Sequence, residues 1–346
     1  MEVPRAGGGG DPVRRFRRLA DLTAVVTFFL VIVGGVVRVS DSGLGCGPGG
    51  SGTEGWPLCG GAVIPVIGAD ENRLIEFSHR LLASVVVVLI ALLCWRAYRD
   101  LRGRQWAFRV SIAAGVTVLI QAVLGGLTVE HSLEDELVAA HLGTAMILLG
   151  LLLFLGAKSR SEEPRSDGAA TRAPIKGMKP FASVAAVLLL CAIVAGGYMA
   201  GTEEEGVAGA SGSGAHLACG HQFPECGDGQ FLPFGNNRLT DIHLTHRVFV
   251  YAATLAIIVL LSVAYARGAR DRLLVLAALL LVGQVLLGGM NVWLGEHGTL
   301  IVAHLTVATL LWATVVSIAY RLAWLPSPAG SSERAAPRAQ ASAAPA

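Results

Sequence analysis

The sequence is poor in charge. Asp, Glu, Lys and Arg make up 15% of its 346 residues, well short of the roughly 25% of a soluble domain, while hydrophobic residues make up 53%. That balance excludes an ordinary water-soluble globule. Two signatures of common enzyme classes are missing too: there is no phosphate-binding glycine loop and no serine-nucleophile elbow. No A-x-A-like cleavage site follows the first apolar stretch, which is also too long for a secretory signal. The sequence therefore predicts a retained membrane helix there, despite Arg14, Arg15, Arg17 and Arg18 in front of it. The net charge of +2 gives no reason to expect a nucleic-acid partner.

What is present is apolar length. A transmembrane helix needs about 20 largely apolar residues to cross a hydrocarbon core of roughly 30 Å. Eight windows qualify, at about 19–37, 74–95, 108–127, 137–157, 181–199, 242–264, 273–292 and 300–324. The fold class expected is an all-α membrane protein with eight transmembrane helices. Lys and Arg accumulate in cytoplasmic loops. With the N-terminus inside, 22 of the 27 basic residues fall on the inner side, leaving Arg38, Arg73, Arg80, Arg238 and Arg247 outside. Both termini are expected to be cytoplasmic. The Gly-rich start and the Ala/Ser/Pro-rich end read as disordered tails.

The chain repeats itself. Gln121-Ala-Val-Leu-Gly125-Gly126 recurs as Gln284-Val-Leu-Leu-Gly288-Gly289, and His141 recurs as His304, all 163 residues apart. Gly34-Gly35 recurs as Gly196-Gly197 at 162, and Ser78-His79-Arg80 recurs as Thr245-His246-Arg247 at 167. Each half is then a four-helix unit. Because four is even, both halves start from the same membrane side, giving two parallel-repeat four-helix bundles related by an axis along the membrane normal. The expected organisation is a cytoplasmic N-tail 1–18, an N-terminal bundle 19–157, a cytoplasmic linker 158–180, a C-terminal bundle 181–324 and a tail 325–346. Close helix packing suffices to explain the paired glycines.

Ionisable groups inside a membrane segment are costly, rare and commonly functional. His79, His141, His246 and His304 each lie a few residues inside the outer end of helices 2, 4, 6 and 8. At 1.5 Å rise per residue, the two members of each pair sit at the same depth. Two such histidines in a four-helix bundle can bind one planar cofactor between them, and haem iron takes imidazole axially. A lone membrane histidine is as readily a hydrogen-bonded packing residue; four in two repeat-related pairs weigh against that. Structural zinc usually wants four ligands, and each half offers two.

The halves differ at one position. Glu76 stands one turn before His79, whereas His243 stands one turn before His246. A spacing of three puts each on the same helical face as its histidine, so chemistry is expected in the first half, and His243 is read as a surface residue. Arg80 and Arg247 follow the histidines directly and suit either haem propionates or interfacial anchoring. His131, His216, His221 and His297 fall in outer loops without defensible partner spacing. The acidic runs 134–136 and 203–205 read as solvated loop faces.

Cysteine is scarce. Four of six, Cys46, Cys59, Cys219 and Cys226, lie two to each long outer loop, where disulfides persist. Pairing within each loop, Cys46–Cys59 and Cys219–Cys226, is the economical reading, and whether such bonds are structural or redox-active is left open by the sequence. Cys94 and Cys191 read as small core residues.

Glu76-x-x-His79-Arg80, His141, His246-Arg247, His304 and the two loop cysteine pairs together resemble the haem A synthase family of bacterial type. Arg38-Val-Ser-Asp-Ser-Gly-Leu-Gly and Trp56-Pro-Leu-Cys59 also resemble that family's first outer loop. The resemblance spans roughly residues 19–324. The Gly-rich segment 47–55 departs from it, being longer than the family's usual spacing. The resemblance implies an oxidoreductase of a bacterial-type cell membrane that converts a ring methyl of haem O to a formyl group, giving haem A for cytochrome oxidase. It further implies haem b as cofactor on His246 and His304, substrate haem O at His79 and His141, Glu76 as the functional carboxylate, and a role for Cys46 and Cys59 in activity. Haem O synthase and a quinol or thiol electron donor would be partners, besides membrane lipid. A di-haem electron-carrying cytochrome would use the same histidine pairs but would have no need of Glu76 on one side only.

Overall fold

The computed structural model describes residues 11–64, 70–163, 171–172, 174–202, 214–227, 229–295, 297–325 and 327–328. The acidic run 203–205, the ends of both expected tails and part of the linker lie outside them. Eight long helices follow one another: α1 (Pro12–Val39), α2 (Glu71–Asp100), α3 (Gln105–Glu130), α4 (Asp135–Glu162), α5 (Lys179–Gly201), α6 (Arg238–Ala266), α7 (Arg272–Leu294) and α8 (Gly298–Ile318), the last running on as a π-helical stretch, Ala319–Trp324. All eight are long and apolar enough to cross a membrane. Even α5 and α7, with 23 residues each, rise about 35 Å at 1.5 Å per residue. Large apolar side chains such as Phe29, Val88, Leu119, Leu255 and Leu279 are more than half exposed on the outward faces. Helices apolar all round in this way belong in lipid, and the protein is a multi-pass membrane protein.

The helices run a few residues past the apolar windows at most ends, and two of these differences have a clear local cause. α1 starts at Pro12, seven residues before the apolar window, because Asp11 caps it through Val13 N–H (3.0 Å) and Pro12 presets the first-turn φ. Part of the expected N-tail is therefore helix, with Arg17 pairing to Asp21 (3.2 Å) and to Glu163, just past the end of α4 (2.5 Å). Likewise, Asp135 and Glu136 form the first turn of α4 rather than a loop, where carboxylates suit the positive end of the helix.

Helices α1–α4 pack in a circuit, α1 on α2, α2 on α3, α3 on α4 and α4 on α1, and α5–α8 pack in the same order. Between the two sets α4 meets α5, α1 meets α8, and α4 meets α8. The interior helices are α4 and α8, with 39% and 44% of their apolar windows buried against 22–28% for the others. They carry His141 and His304. One continuous apolar core joins the sets, with Met146, Leu149, Leu152, Leu260 and Leu311 at most 1% exposed. Two polar bonds cross it: Trp312 Nε1 donates to the Met146 carbonyl (2.9 Å), and Tyr320 OH to that of Gly150 (3.1 Å). Short strands β1 (Thr171–Arg172) and β2 (Ser327–Pro328) pair antiparallel beyond the ends of α4 and α8.

Trp312→Phe keeps an aromatic side chain, though a smaller one, and deletes the bond to Met146. It is expected to lower stability by about 1 kcal/mol, measured as a fall in melting temperature in detergent; an unchanged melting temperature would contradict the cross-link.

Candidate functional site

The four membrane histidines share one local construction. Each ring lies against the first glycine of a Gly-Gly pair on the neighbouring helix. A Cβ at Gly34 of α1 would stand 3.1 Å from His79 Cε1; at Gly125 of α3, 3.4 Å from His141 Cε1; at Gly196 of α5, 2.8 Å from His246 Cε1; and at Gly288 of α7, 3.2 Å from His304 Cε1. Only a residue without a side chain lets an imidazole approach a helix backbone this closely. The glycines do serve close packing, as the sequence suggested, but what they admit is the histidine ring. Within each set the two rings lie in electrostatic reach of one another, His79 of His141 and His304 of His246.

The ring nitrogens test whether these pairs fit an iron cofactor. His246 Nδ1 bonds the Ala192 carbonyl at 3.0 Å. A carbonyl only accepts, so Nδ1 carries the proton and Nε2 presents its lone pair, the usual state of a metal-binding imidazole. Among the described residues, Nδ1 of His79, His141 and His304 is buried without a partner. With Nε2 free as at His246, the imidazoles of each pair would suit holding a haem iron between them. The repeated glutamines differ: Gln121 Nε2 donates to the His141 backbone carbonyl (2.8 Å), whereas Gln284 Nε2 lies 3.1 Å from His304 Nε2.

Glu76 is 3% exposed. Its Oε2 accepts the Cys46 backbone N–H at 2.7 Å, and its Oε1 pairs with Arg80 Nη2. Arg80 Nη1 also donates to the carbonyls of Gly55 (2.7 Å) and Leu58 (2.8 Å), so one guanidinium ties the first outer loop to α2. Arg247 repeats the clasp on the second loop, reaching the carbonyls of Gln222 (2.8 Å), Glu225 (2.8 Å) and Pro224 (3.2 Å). Both arginines thus have backbone partners that neither reading from sequence supplied. Each clasped loop is closed by a disulfide, Cys46–Cys59 or Cys219–Cys226. Of the helix cysteines, Cys94 and Cys191 are both half-buried and free.

His243 is a correction. It is 3% exposed and not a surface residue, with Nδ1 bonded to the Ala215 carbonyl at 2.9 Å. The second outer loop folds over the end of α6 and covers it. Of the loop histidines, His131 pairs with Glu134 (3.6 Å), and His221 bonds the Val292 carbonyl (3.1 Å).

One motif escaped the sequence reading. Trp56-Pro57-Leu58-Cys59 recurs as Phe223-Pro224-Glu225-Cys226, 167 residues on, the same offset as the His-Arg pairs. The aromatic of each copy lies against the second glycine of a pair. A Cβ at Gly126 would stand 2.9 Å from the Trp56 ring; one at Gly289 would stand 3.2 Å from the Trp293 ring of α7 and 3.5 Å from Phe223 Cδ1. The loops therefore lock onto α3 and α7 one residue away from the histidine seats.

Arg247→Gln removes charge-assisted bonds worth about 1.5–3 kcal/mol each. It is expected to speed hydrogen exchange of residues 214–227 by at least tenfold, with Arg80→Gln doing the same for the first loop. Unchanged exchange would contradict the clasp.

The family described as cytochrome oxidase assembly protein (COX15-CtaA) matches residues 17–316. The chain is similar to a haem A synthase of Alkalihalophilus pseudofirmus, 27% identical over 312 residues, 87% of this chain and 95% of the relative. It is 30% identical to a haem A synthase of Shouchella clausii over 294 residues, 82% and 88% of the two chains. A third, from Halalkalibacterium halodurans, is 26% identical over 315 residues, 88% and 96%. With its matched region running from within α1 to within α8 and including both clasped loops, the chain belongs to the cytochrome oxidase assembly protein family.

Proposed function

We propose that the protein is a haem A synthase, an oxidoreductase that converts the ring methyl of haem O to a formyl group for cytochrome oxidase assembly. The observation that carries this reading is the pair of glycine-seated histidine sets with a buried carboxylate in one of them. His246 and His304 would hold haem b, and His79 and His141 would receive haem O. When bound, haem b supplies electron transfer, a chemistry that side chains alone do not provide for a methyl C–H. The two helix sets are read as parallel repeats, supported by their matching order of packing and their matching loop clasps.

The chain's own residues set the surroundings. Glycine notches fix the height and tilt of each imidazole. Trp56 and Phe223, with their clasped loops, cover the outer ends of the two sets and limit water. Glu76 sits one turn from His79, and its Oε2 is held by Cys46 N–H. It is the carboxylate placed to take or return a proton beside the substrate, a role worth roughly 10²–10⁴-fold in rate. At the matching position His243 offers no carboxylate, which supports placing the reaction in the first set. Ligation at His304 requires the Gln284 amide to release Nε2, and the bond of Gln121 to the His141 backbone carbonyl supplies the pattern it would adopt.

Both termini are placed in the cytoplasm on the distribution of Lys and Arg, in a cell membrane of bacterial type. The substrate would arrive from a haem O-forming enzyme through the lipid, and a quinol or thiol partner would exchange electrons with the protein.

Expression with and without a source of haem O, followed by haem extraction and mass identification, tests the activity. Haem A or its hydroxylated precursor is expected only when haem O is supplied; haem b alone under both conditions would favour an electron carrier. Glu76→Gln is expected to keep haem b and lower haem A formation by about 100-fold. Loss of haem b with product formation intact would reverse the assignment of the two sets.

A further inference from the structure

Each glycine pair on α1 and α5 serves two neighbours. Gly34 seats the His79 ring of its own set, while Gly35 faces the other set, where a Cβ would stand 2.5 Å from Leu305 Cδ2. Gly196 seats His246, while a Cβ at Gly197 would stand 2.9 Å from Leu142 Cδ2. Successive helix residues point about 100° apart, so adjacent glycines open toward different helices. The two leucines are not arbitrary: Leu142 follows His141 on α4, and Leu305 follows His304 on α8. Both are partly buried and pack against the core common to the two sets.

The arrangement is reciprocal. α1 touches a histidine of the first set and the residue beside a histidine of the second; α5 touches a histidine of the second set and the residue beside a histidine of the first. In lipid, helices associate through close van der Waals fit and not through the hydrophobic effect. A side chain seated in a glycine notch is therefore where the mutual position of two membrane helices is fixed. Carbon atoms sit comfortably at about 3.5–4.0 Å, so a methyl added at Gly35 would have to push Leu305 away by about 1 Å.

We propose that the Leu305–Gly35 and Leu142–Gly197 contacts are positioning contacts between the two histidine sets: each holds the second histidine of one set in place from the first helix of the other. The two proposed haem sites are thereby held in one mutual geometry, and a change at either is felt at its partner. This rests on the reading of the histidine pairs as haem ligands.

The test uses the purified full chain with its haems, read by low-temperature electron paramagnetic resonance and by redox titration. His304→Ala first identifies the signal of the second-set haem by its loss. Gly35→Ala and the bulkier Gly35→Val, although on a first-set helix, are expected to shift the g values and midpoint potential of that second-set haem. Leu305→Ala combined with either is expected to bring both back toward wild type. Gly197→Ala and Leu142→Ala are expected to give the mirror result at the first-set haem. Leu305→Ala alone creates no clash and serves if the glycine variants fail to fold; it is expected to broaden the second-set signal and leave the first unchanged. A Gly35 substitution that alters only the first-set haem, or that Leu305→Ala fails to compensate, overturns the proposal. If His304→Ala removes no signal, it is the haem reading of that pair that has failed. The contact is then decided by the melting temperatures of wild type, Gly35→Ala, Leu305→Ala and the double variant: non-additive shifts support it, and additive ones overturn it.

Discussion

A glycine on a membrane helix removes the methyl that would keep a neighbouring side chain off the backbone. Here that absence is used for polar side chains, which lipid would otherwise make costly to bury. Gly34, Gly125, Gly196 and Gly288 each admit one imidazole, at clearances where an added Cβ would come within 2.8–3.4 Å of the ring. The rest of the upper half of the molecule is arranged around those four seats. The second glycine takes the loop ring of Trp56 at Gly126, the Trp293 ring with Phe223 at Gly289, and a leucine of the opposite helix set at Gly35 and Gly197, so that seats, covers and the interface between sets occupy consecutive residues.

The same scaffold produces two different environments by one exchange. Arg80 and Arg247 clasp their loops in the same way, through backbone carbonyls beside a disulfide. One turn earlier the halves diverge: Glu76 accepts a backbone N–H from Cys46, whereas His243 bonds the carbonyl of Ala215. An acceptor in one half and an imidazole in the other satisfy the loop backbone equally well. Only the first leaves a carboxylate beside a histidine seat. Structural roles are thus shared between the halves while the buried carboxylate stands in one, which supports separate roles for the two proposed sites.

Much of this was legible in the sequence because membrane helices announce themselves by length and apolarity. The eight spans, the four histidines and the Gly-Gly repeats all emerge from spacing alone. What spacing does not reveal is contact across helices. The glycines read as packing residues, and nothing in Gly34-Gly35 distinguishes the residue that seats His79 from the one that receives Leu305. His243 read as a surface residue because its cover comes from a loop some 28 residues upstream at Ala215. Arg80 and Arg247 read as interfacial or propionate-binding because their loop partners are backbone carbonyls, which leave no mark on side-chain pattern; of their contacts only the i,i+4 pairing of Arg80 with Glu76 was readable. The recurrence of an aromatic-Pro-x-Cys motif at the offset of the His-Arg pairs was available to a sequence reading and would have located the loop covers.

The central claim is that two glycine-seated histidine pairs hold two chemically different haems. The most direct measurement is the haem content of the four single variants His79→Ala, His141→Ala, His246→Ala and His304→Ala, each purified after expression with a haem O source and analysed by extraction and mass. The account predicts that the last two lose haem b, while the first two retain haem b and lose haem O and haem A. Equal loss of the same haem in all four variants would contradict it.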